Sequence, residues 1–330
     1  MATEYGNILI TGGAGFIGSH IAEYLSDKAN VRVLDNLRSG YRKNLEGLDV
    51  EFIEGSVSDK GLVKKCVQGV DYVFHLAAMI SVPESMEKPQ ECVNINTIGT
   101  LNVLQEAADA GVKKLCLSSS SAIYGDNPKV PNVEAMLALP KSPYAVTKLD
   151  GEFYCRMFND EGRLHTISLR YFNVFGPRQD PKSQYAAAIP IFICKALRNE
   201  PITIFGDGEQ TRDFIYVKDV VNANVHLIIS PYSGVYNVAY GGTITINELA
   251  QKIINLTNSK SEIKHEKPRP GDVKHSYASI DKLLGTGFRP RGNFEQGLED
   301  TIKFFLRQMR ESLPSIVSHS EVGGVPQAVR

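Results

Sequence analysis

The chain has 330 residues, 42% hydrophobic and 22% charged, with a formal net charge of −1. That length allows a large core and two lobes, while the balanced charge offers no footprint for nucleic acid and leaves any anionic substrate to a few local arginines. The five cysteines (Cys66, Cys92, Cys116, Cys155, Cys194) lie singly, with no CxxC and no histidine pair at ligand spacing, so neither a disulfide framework nor a metal site is expected. No run approaches the roughly 18 apolar residues of a membrane span, and a soluble cytoplasmic protein is expected.

Through the first half, short β-rich runs alternate with helical patterns. NILIT (7–11), VRVLD (31–35), VEFIE (50–54), DYVFHL (71–76), KKLCLSS (113–119) and HTISLRYFN (165–173) read as strands. They are near-continuous apolar runs, as expected where helices cover both faces of a parallel sheet. Helical patterns fall at roughly 15–28, 60–68, 92–110 and 144–161. This rhythm predicts an α/β chain: a Rossmann-type doubly wound parallel sheet with a smaller C-terminal substrate-binding lobe. After Asn173 come PITIF (201–205), DFIYV (213–217) and VYNVA (235–239) between helices. The expected division puts 1–173 and 219–242 in the sheet domain, and 174–218 and 243–330 in the lobe. A loose terminus is expected from about Leu313.

TGGAGFIG (11–18) follows the first strand and opens the first helix, with glycines at 12, 13, 15 and 18. Such a loop turns tightly and lets a pyrophosphate approach the backbone, while the helix N-terminus presents N–H groups to the anion. Asp35 ends the second strand, where a carboxylate can hold the adenosine ribose hydroxyls and would repel a 2′-phosphate. NAD is therefore expected over NADP, a preference that Arg38, three residues on, works against.

SPYAVTK (142–148) places Tyr144 and Lys148 one helical turn apart behind a Ser142 cap and Pro143. Val146, Leu149 and Phe153 continue the helical spacing, and Gly162 reads as the stop. An ammonium beside a phenol favours the phenolate, so a lowered tyrosine pKa and a general base are expected. SSSSAIYG (118–125) sets hydroxyls at a C-terminal strand end, the edge where ligands bind in an open α/β sheet.

These segments resemble the extended short-chain dehydrogenase/reductase superfamily and, within it, the nucleotide-sugar 4-epimerases. The likeness runs from Ile8 to about Phe305, through TGGAGFIG, HLAA (75–78), VNINTIGTLNVL (93–104), SSSSAIYG, SPYAVTK, LRYFNVFGPRQ (169–179), GDGEQTRDFIYVKDV (206–220) and RPGDVKHSYA (269–278). The resemblance implies Tyr144, Lys148 and Ser120 as the catalytic group. Around NAD it implies Gly12, Gly15, Phe16, Ile17, Gly18, Asp35, Asn36, Leu76, Ala77, Ala78, Asn96, Ser118 and Phe172, with Tyr144 and Lys148. Gly55-Ser56-Val57 stands where relatives carry an aspartate that reads the adenine amino group; the Ser56 hydroxyl can accept that bond more weakly. The implied chemistry is hydride removal from sugar C4, proton uptake by Tyr144, turning of the 4-keto sugar, and hydride return to its other face. NAD is regenerated each cycle and is expected to stay tightly bound.

For the substrate, the resemblance implies Arg212 and Arg269 at the diphosphate, Asn173 and Asp272 at the diphosphate-sugar and ribose, and Ser81 beside the sugar. Related dehydratases carry an Asp-Glu pair, and related decarboxylases a Glu, where this chain has Ser121 and Ala122, so elimination lacks its proton shuttle. Ser276 is small at the position that walls the C2 substituent, which leaves room for UDP-GlcNAc and UDP-GalNAc beside UDP-Glc and UDP-Gal. Two alternatives are a UDP-glucuronate 4-epimerase and, from another class, a non-catalytic NAD-sensing regulator. A homodimer is expected through helices 92–110 and 144–161.

Overall fold

A computed structural model describes residues 4–181, 187–268 and 274–311. Its central sheet takes β1 (Asn7–Thr11), β2 (Asn30–Asp35), β3 (Val50–Glu54), β4 (Tyr72–His75), β5 (Lys114–Ser120) and β6 (His165–Tyr171). With the edge strand Gly234–Val238, the seven strands run in the order edge–β6–β5–β4–β1–β2–β3, and every pairing is parallel. The expected doubly wound sheet is present. The chain leaves β1 for β2 and β3, then crosses back to β4 on the other side of β1, so the crevice between β1 and β4 is the topological switch point.

The helices follow the same alternation: α1 (Phe16–Leu25), α2 (Lys60–Cys66), α3 (Val82–Glu87), α4 (Pro89–Cys92), α5 (Gly99–Asp109), α6 (Pro143–Asp160), α7 (Ala188–Leu197), α8 (Val217–Ile228), α9 (Ile246–Thr257), α10 (Asp281–Leu284) and α11 (Phe294–Glu311). Between α4 and α5 the chain stays helical but widens to a π-helical stretch at Val93–Ile98.

Successive side chains of one strand point to opposite faces. Ile8 and Ile10 therefore join Ile21, Leu25, Val220 and Leu227 under α1 and α8, while Leu9 joins Val63, Val103, Leu104 and Phe158 under α2, α5 and α6. Burying each such side chain is worth about 1.5–3 kcal/mol, which is why Ile8, Leu9 and Ile10 make the middle of β1 apolar on both faces. A third cluster, including Phe175, Ile193, Ile204, Leu249, Leu298 and Phe305, packs α7, α9 and α11 around a small sheet in which Ile202–Phe205 pairs with Ile263–Glu266.

Candidate active site

The β1–α1 turn is shaped by its glycines. Gly12 has φ +71°, and a Cβ there would stand 2.7 Å from the Ala77 nitrogen; a Cβ on Gly18 would stand 2.2 Å from the Gly12 carbonyl oxygen. Both positions admit only a hydrogen. A Cβ on Gly15 would meet only the Gly12 oxygen, at 3.2 Å, because this residue faces open space. Gly15 caps α1 with no side-chain bond, and the first turn holds no acid, so the helix start at Phe16, Ile17 and Gly18 is bare and electropositive. This cradle fits a pyrophosphate.

Asp35 accepts from the Ala14 and Leu37 backbone nitrogens at 2.9 and 2.8 Å, and burial raises its carboxyl pKa. Asn36 accepts from the Arg38 nitrogen. Arg38 itself turns to Glu84 and Glu91 at 2.8 and 2.5 Å, so its charge is already matched by carboxylates. Ser56 accepts from the Ser58 nitrogen, and Val57 packs on Gly99. The Leu76 and Ala77 nitrogens donate to the Thr11 carbonyl and hydroxyl, and Ala77, Ala78, Asn96 and Lys148 line one small cavity. Asn96, in the π-helical stretch, is spent within the protein: it accepts from the Met79 nitrogen at 2.7 Å and donates to the Met79 carbonyl and Thr147 hydroxyl.

Ser142 caps α6 by accepting from the Ala145 nitrogen at 3.2 Å, and this sets Tyr144 in the first turn with Lys148 below it. The Tyr144 phenol stands against Ser120, which tempers its pKa, and the Ser120 hydroxyl accepts from the Ala122 nitrogen. Lys148 Nζ donates to the Ser118 carbonyl at 2.7 Å and lies 5.8 Å from the centre of the Tyr144 ring. The expected lowering of the phenol pKa is not found. Burial raises the Tyr144 pKa above its usual value, Ser120 offsets part of that rise, and burial pushes Lys148 down to about 8. Desolvation outweighs the charge of an ammonium that is aimed at a carbonyl rather than at the phenol oxygen.

Phe172 is fully buried against Tyr124, with ring centres 5.9 Å apart. Asn173 donates to the Asp213 carbonyl at 2.9 Å. Arg212 and Ser276 are register partners on two short parallel strands, and Arg212, with Phe214 and Tyr240, lines a cleft of about 560 Å³. Ser81 caps α3 by accepting from the Glu84 nitrogen at 3.1 Å. Arg269 and Asp272 lie outside the described residues.

Residues 8–239 match the family model for the NAD-dependent epimerase/dehydratase family. The chain belongs to that family. Among solved structures, it is similar to a UDP-N-acetylglucosamine 4-epimerase from Methanobrevibacter ruminantium in complex with UDP-N-acetylmuramic acid, at 43% identity and TM-score 0.90, covering 94% of this chain and 100% of that one. It also resembles a UDP-glucose 4-epimerase from Thermotoga maritima with UDP-glucose, at 39% identity and TM-score 0.88, covering 92% and 99%. A putative UDP-glucose 4-epimerase of Methanocaldococcus jannaschii is 37% identical over 306 residues, 92% of this chain and 99% of that protein.

With UDP-sugar 4-epimerases among its relatives, the chain is an isomerase, and as a member of this family its cofactor is NAD, which the bare α1 start, the Gly15 opening and Asp35 fit. Four residues of this epimerase site escaped the sequence reading. Asp213, fully buried, accepts from the Tyr240, Gly241 and Ala278 nitrogens and so ties three segments together, with burial pushing it up to about 6. Ser119, Glu152 and Arg170 form a buried network behind Ser120, Tyr144 and Lys148. One signal was available: Glu152 follows Lys148 by four, on the face already assigned to Tyr144.

Proposed function

We propose that the chain epimerises UDP-sugars at C4, interconverting UDP-GlcNAc with UDP-GalNAc and UDP-Glc with UDP-Gal through a transient 4-keto sugar. The placing of Tyr144 against Ser120 beside Lys148, with no acid or base at Ser121 or Ala122, carries this reading. Tyr144 takes the proton of the C4 hydroxyl at its phenol oxygen, Ser120 shares that proton, and Lys148 anchors the pair to β5 through Ser118. NAD, when bound, accepts and returns the C4 hydride and adds positive charge beside the phenol.

Arg212 and Asn173 are assigned to the nucleotide diphosphate, and Ser81 and Ser276 to the sugar; Arg269 and Asp272 are assigned on the motif alone. The small Ser276 side chain and the likeness to the Methanobrevibacter enzyme favour acceptance of N-acetylated sugars. Residues 1–173 and 219–242 serve NAD, and 174–218 with the chain from 243 serve the sugar nucleotide, in the cytoplasm. Val93, Ile98, Val146, Phe153 and Met157 are exposed apolar side chains on the helical segments expected to pair, which supports a homodimer.

The test is incubation of purified protein with UDP-GlcNAc, UDP-Glc and UDP-glucuronate, with the C4 epimers resolved by chromatography. UDP-GlcNAc and UDP-Glc are expected to turn over, with a loss of roughly 10²- to 10⁴-fold in Tyr144→Phe. Turnover of UDP-Glc alone would remove the Ser276 argument, and turnover of UDP-glucuronate alone would replace the substrate assignment. Inactivity on all three would sink the reading.

A further inference from the structure

Helix α6 and the end of β5 are joined by three rungs. Tyr144 stands against Ser120, Lys148 donates to the Ser118 carbonyl at 2.7 Å, and the Ser119 hydroxyl donates to Glu152 Oε1 at 2.5 Å. Tyr144, Lys148 and Glu152 are spaced by four, so one face of α6 presents them a turn apart to three consecutive serines. On the helix side the third rung ends in a buried charge. Arg170 on β6 donates Nε to Glu152 Oε1 at 2.9 Å and Nη2 to Oε2 at 2.7 Å, and both residues are 5% exposed. Nη1 of Arg170 reaches the Tyr124 hydroxyl at 2.8 Å, on the turn that leaves Ser120.

A buried ion pair is a poor source of stability, because the cost of desolvating two charges cancels most of their attraction. What it supplies is direction. The guanidinium fork holds the carboxylate in one plane, and Ser119 must stand where that carboxylate accepts. Ser119 and Ser120 share a peptide unit, so anchoring one against α6 places the other. We propose that the Ser119–Glu152 rung, oriented by Arg170, is a positioning device that sets the spacing of β5 and α6 at which Ser120 meets the Tyr144 phenol. Its consequence for turnover rests on the epimerase reading above.

Ser119→Ala removes the rung yet leaves Glu152 doubly bonded to Arg170, so no buried charge is stranded. Expected is a fall in kcat of about tenfold with KM for the UDP-sugar within about twofold, since sub-ångström misplacement of reacting groups acts on the chemical step. Because Ser120 lowers the phenol pKa, the acid limb of the kcat profile is expected to move upward. A second measurement needs no substrate: ultraviolet titration of Tyr144, taken as the difference between each protein and its Tyr144→Phe counterpart, is expected to shift upward in Ser119→Ala. If the wild-type protein turns over no UDP-sugar, the epimerase reading fails while this titration still decides the positioning role. A Tyr144 titration unmoved by Ser119→Ala overturns the proposal, and it does so even where kcat falls together with the melting temperature.

Discussion

His75 is a base with nowhere to put a proton. Its two ring nitrogens are held by the hydroxyls of Thr11 and Thr100 at 2.6 and 2.9 Å, and burial, with the nearby Lys148, pushes its pKa down to about 3 from the ordinary 6.5. The unfolded chain therefore binds a proton below 6.5 that the folded chain refuses. The stability carried by neutral His75 is complete above 6.5 and drains away as pH falls toward 3, by up to about 1.4 kcal/mol for each pH unit. Urea unfolding at pH 7 and pH 5 is expected to show that slope in the wild-type protein and a shallower one in His75→Gln; equal slopes would refute it. Both ring nitrogens are bonded within the protein, so His75 is a structural histidine. For Tyr144 the sequence showed who stands beside the phenol but not how dry the surroundings are. Residue spacing reports neighbours, whereas desolvation depends on everything packed around them.

At the scale of elements, the β1–turn–α1 unit is the most legible part of the chain. TGGAGFIG already implied a turn too tight for side chains, and Gly18 meets that expectation: a Cβ would intrude to 2.2 Å from the Gly12 oxygen and 2.8 Å from the Gly13 Cα. Backbone atoms on both sides cannot swing away as a side-chain tip can. Gly18→Ala is expected to force helix and loop apart, costing about 1–3 kcal/mol, typical of overpacking. It should also weaken NAD binding, because the displaced atoms are those of the cradle. Calorimetric melting with and without NAD tests this; an unchanged melting temperature and unchanged stabilisation by NAD would contradict the packing argument. Strand positions were equally legible, since apolar runs such as NILIT and VEFIE coincide with β1 and β3. The π-helical stretch was not. Val93–Ile98 widens a helix without breaking it, so the periodicity of VNINTIGTLNVL hardly changes, yet the widening carries Asn96 to Met79 and Thr147. The Glu152–Arg170 pair joins a helix to a strand 18 residues further on, and no local pattern reports a contact of that kind.

On the whole molecule, α6 is apolar on two sides. One side packs on the sheet through Cys155 and Phe158, while Val146, Phe153 and Met157, at helical spacing, are 44%, 56% and 53% exposed. A helix with apolar side chains all round is normally buried, and a contiguous exposed patch is an interaction site when it exceeds a few hundred Å². Val93 and Ile98, on the π-helical segment that contacts α6, extend the apolar surface. The proposed homodimer would cover this patch, because a two-fold axis lets one self-complementary surface satisfy both subunits. Phe153→Glu would set a carboxylate in the middle of that apolar patch and should leave the monomer fold intact, since the side chain makes no part of the sheet-facing core. Light scattering coupled to gel filtration is expected to show a dimer for the wild-type protein and a monomer for the variant. Val146 lies two residues beyond Tyr144, so an interface at this patch would also brace the turn that carries the phenol. The monomeric variant is therefore expected to lose turnover as well as association, with activity recovering at protein concentrations that restore the dimer. A wild-type monomer would remove both expectations, and a monomeric variant with full activity would remove the second alone.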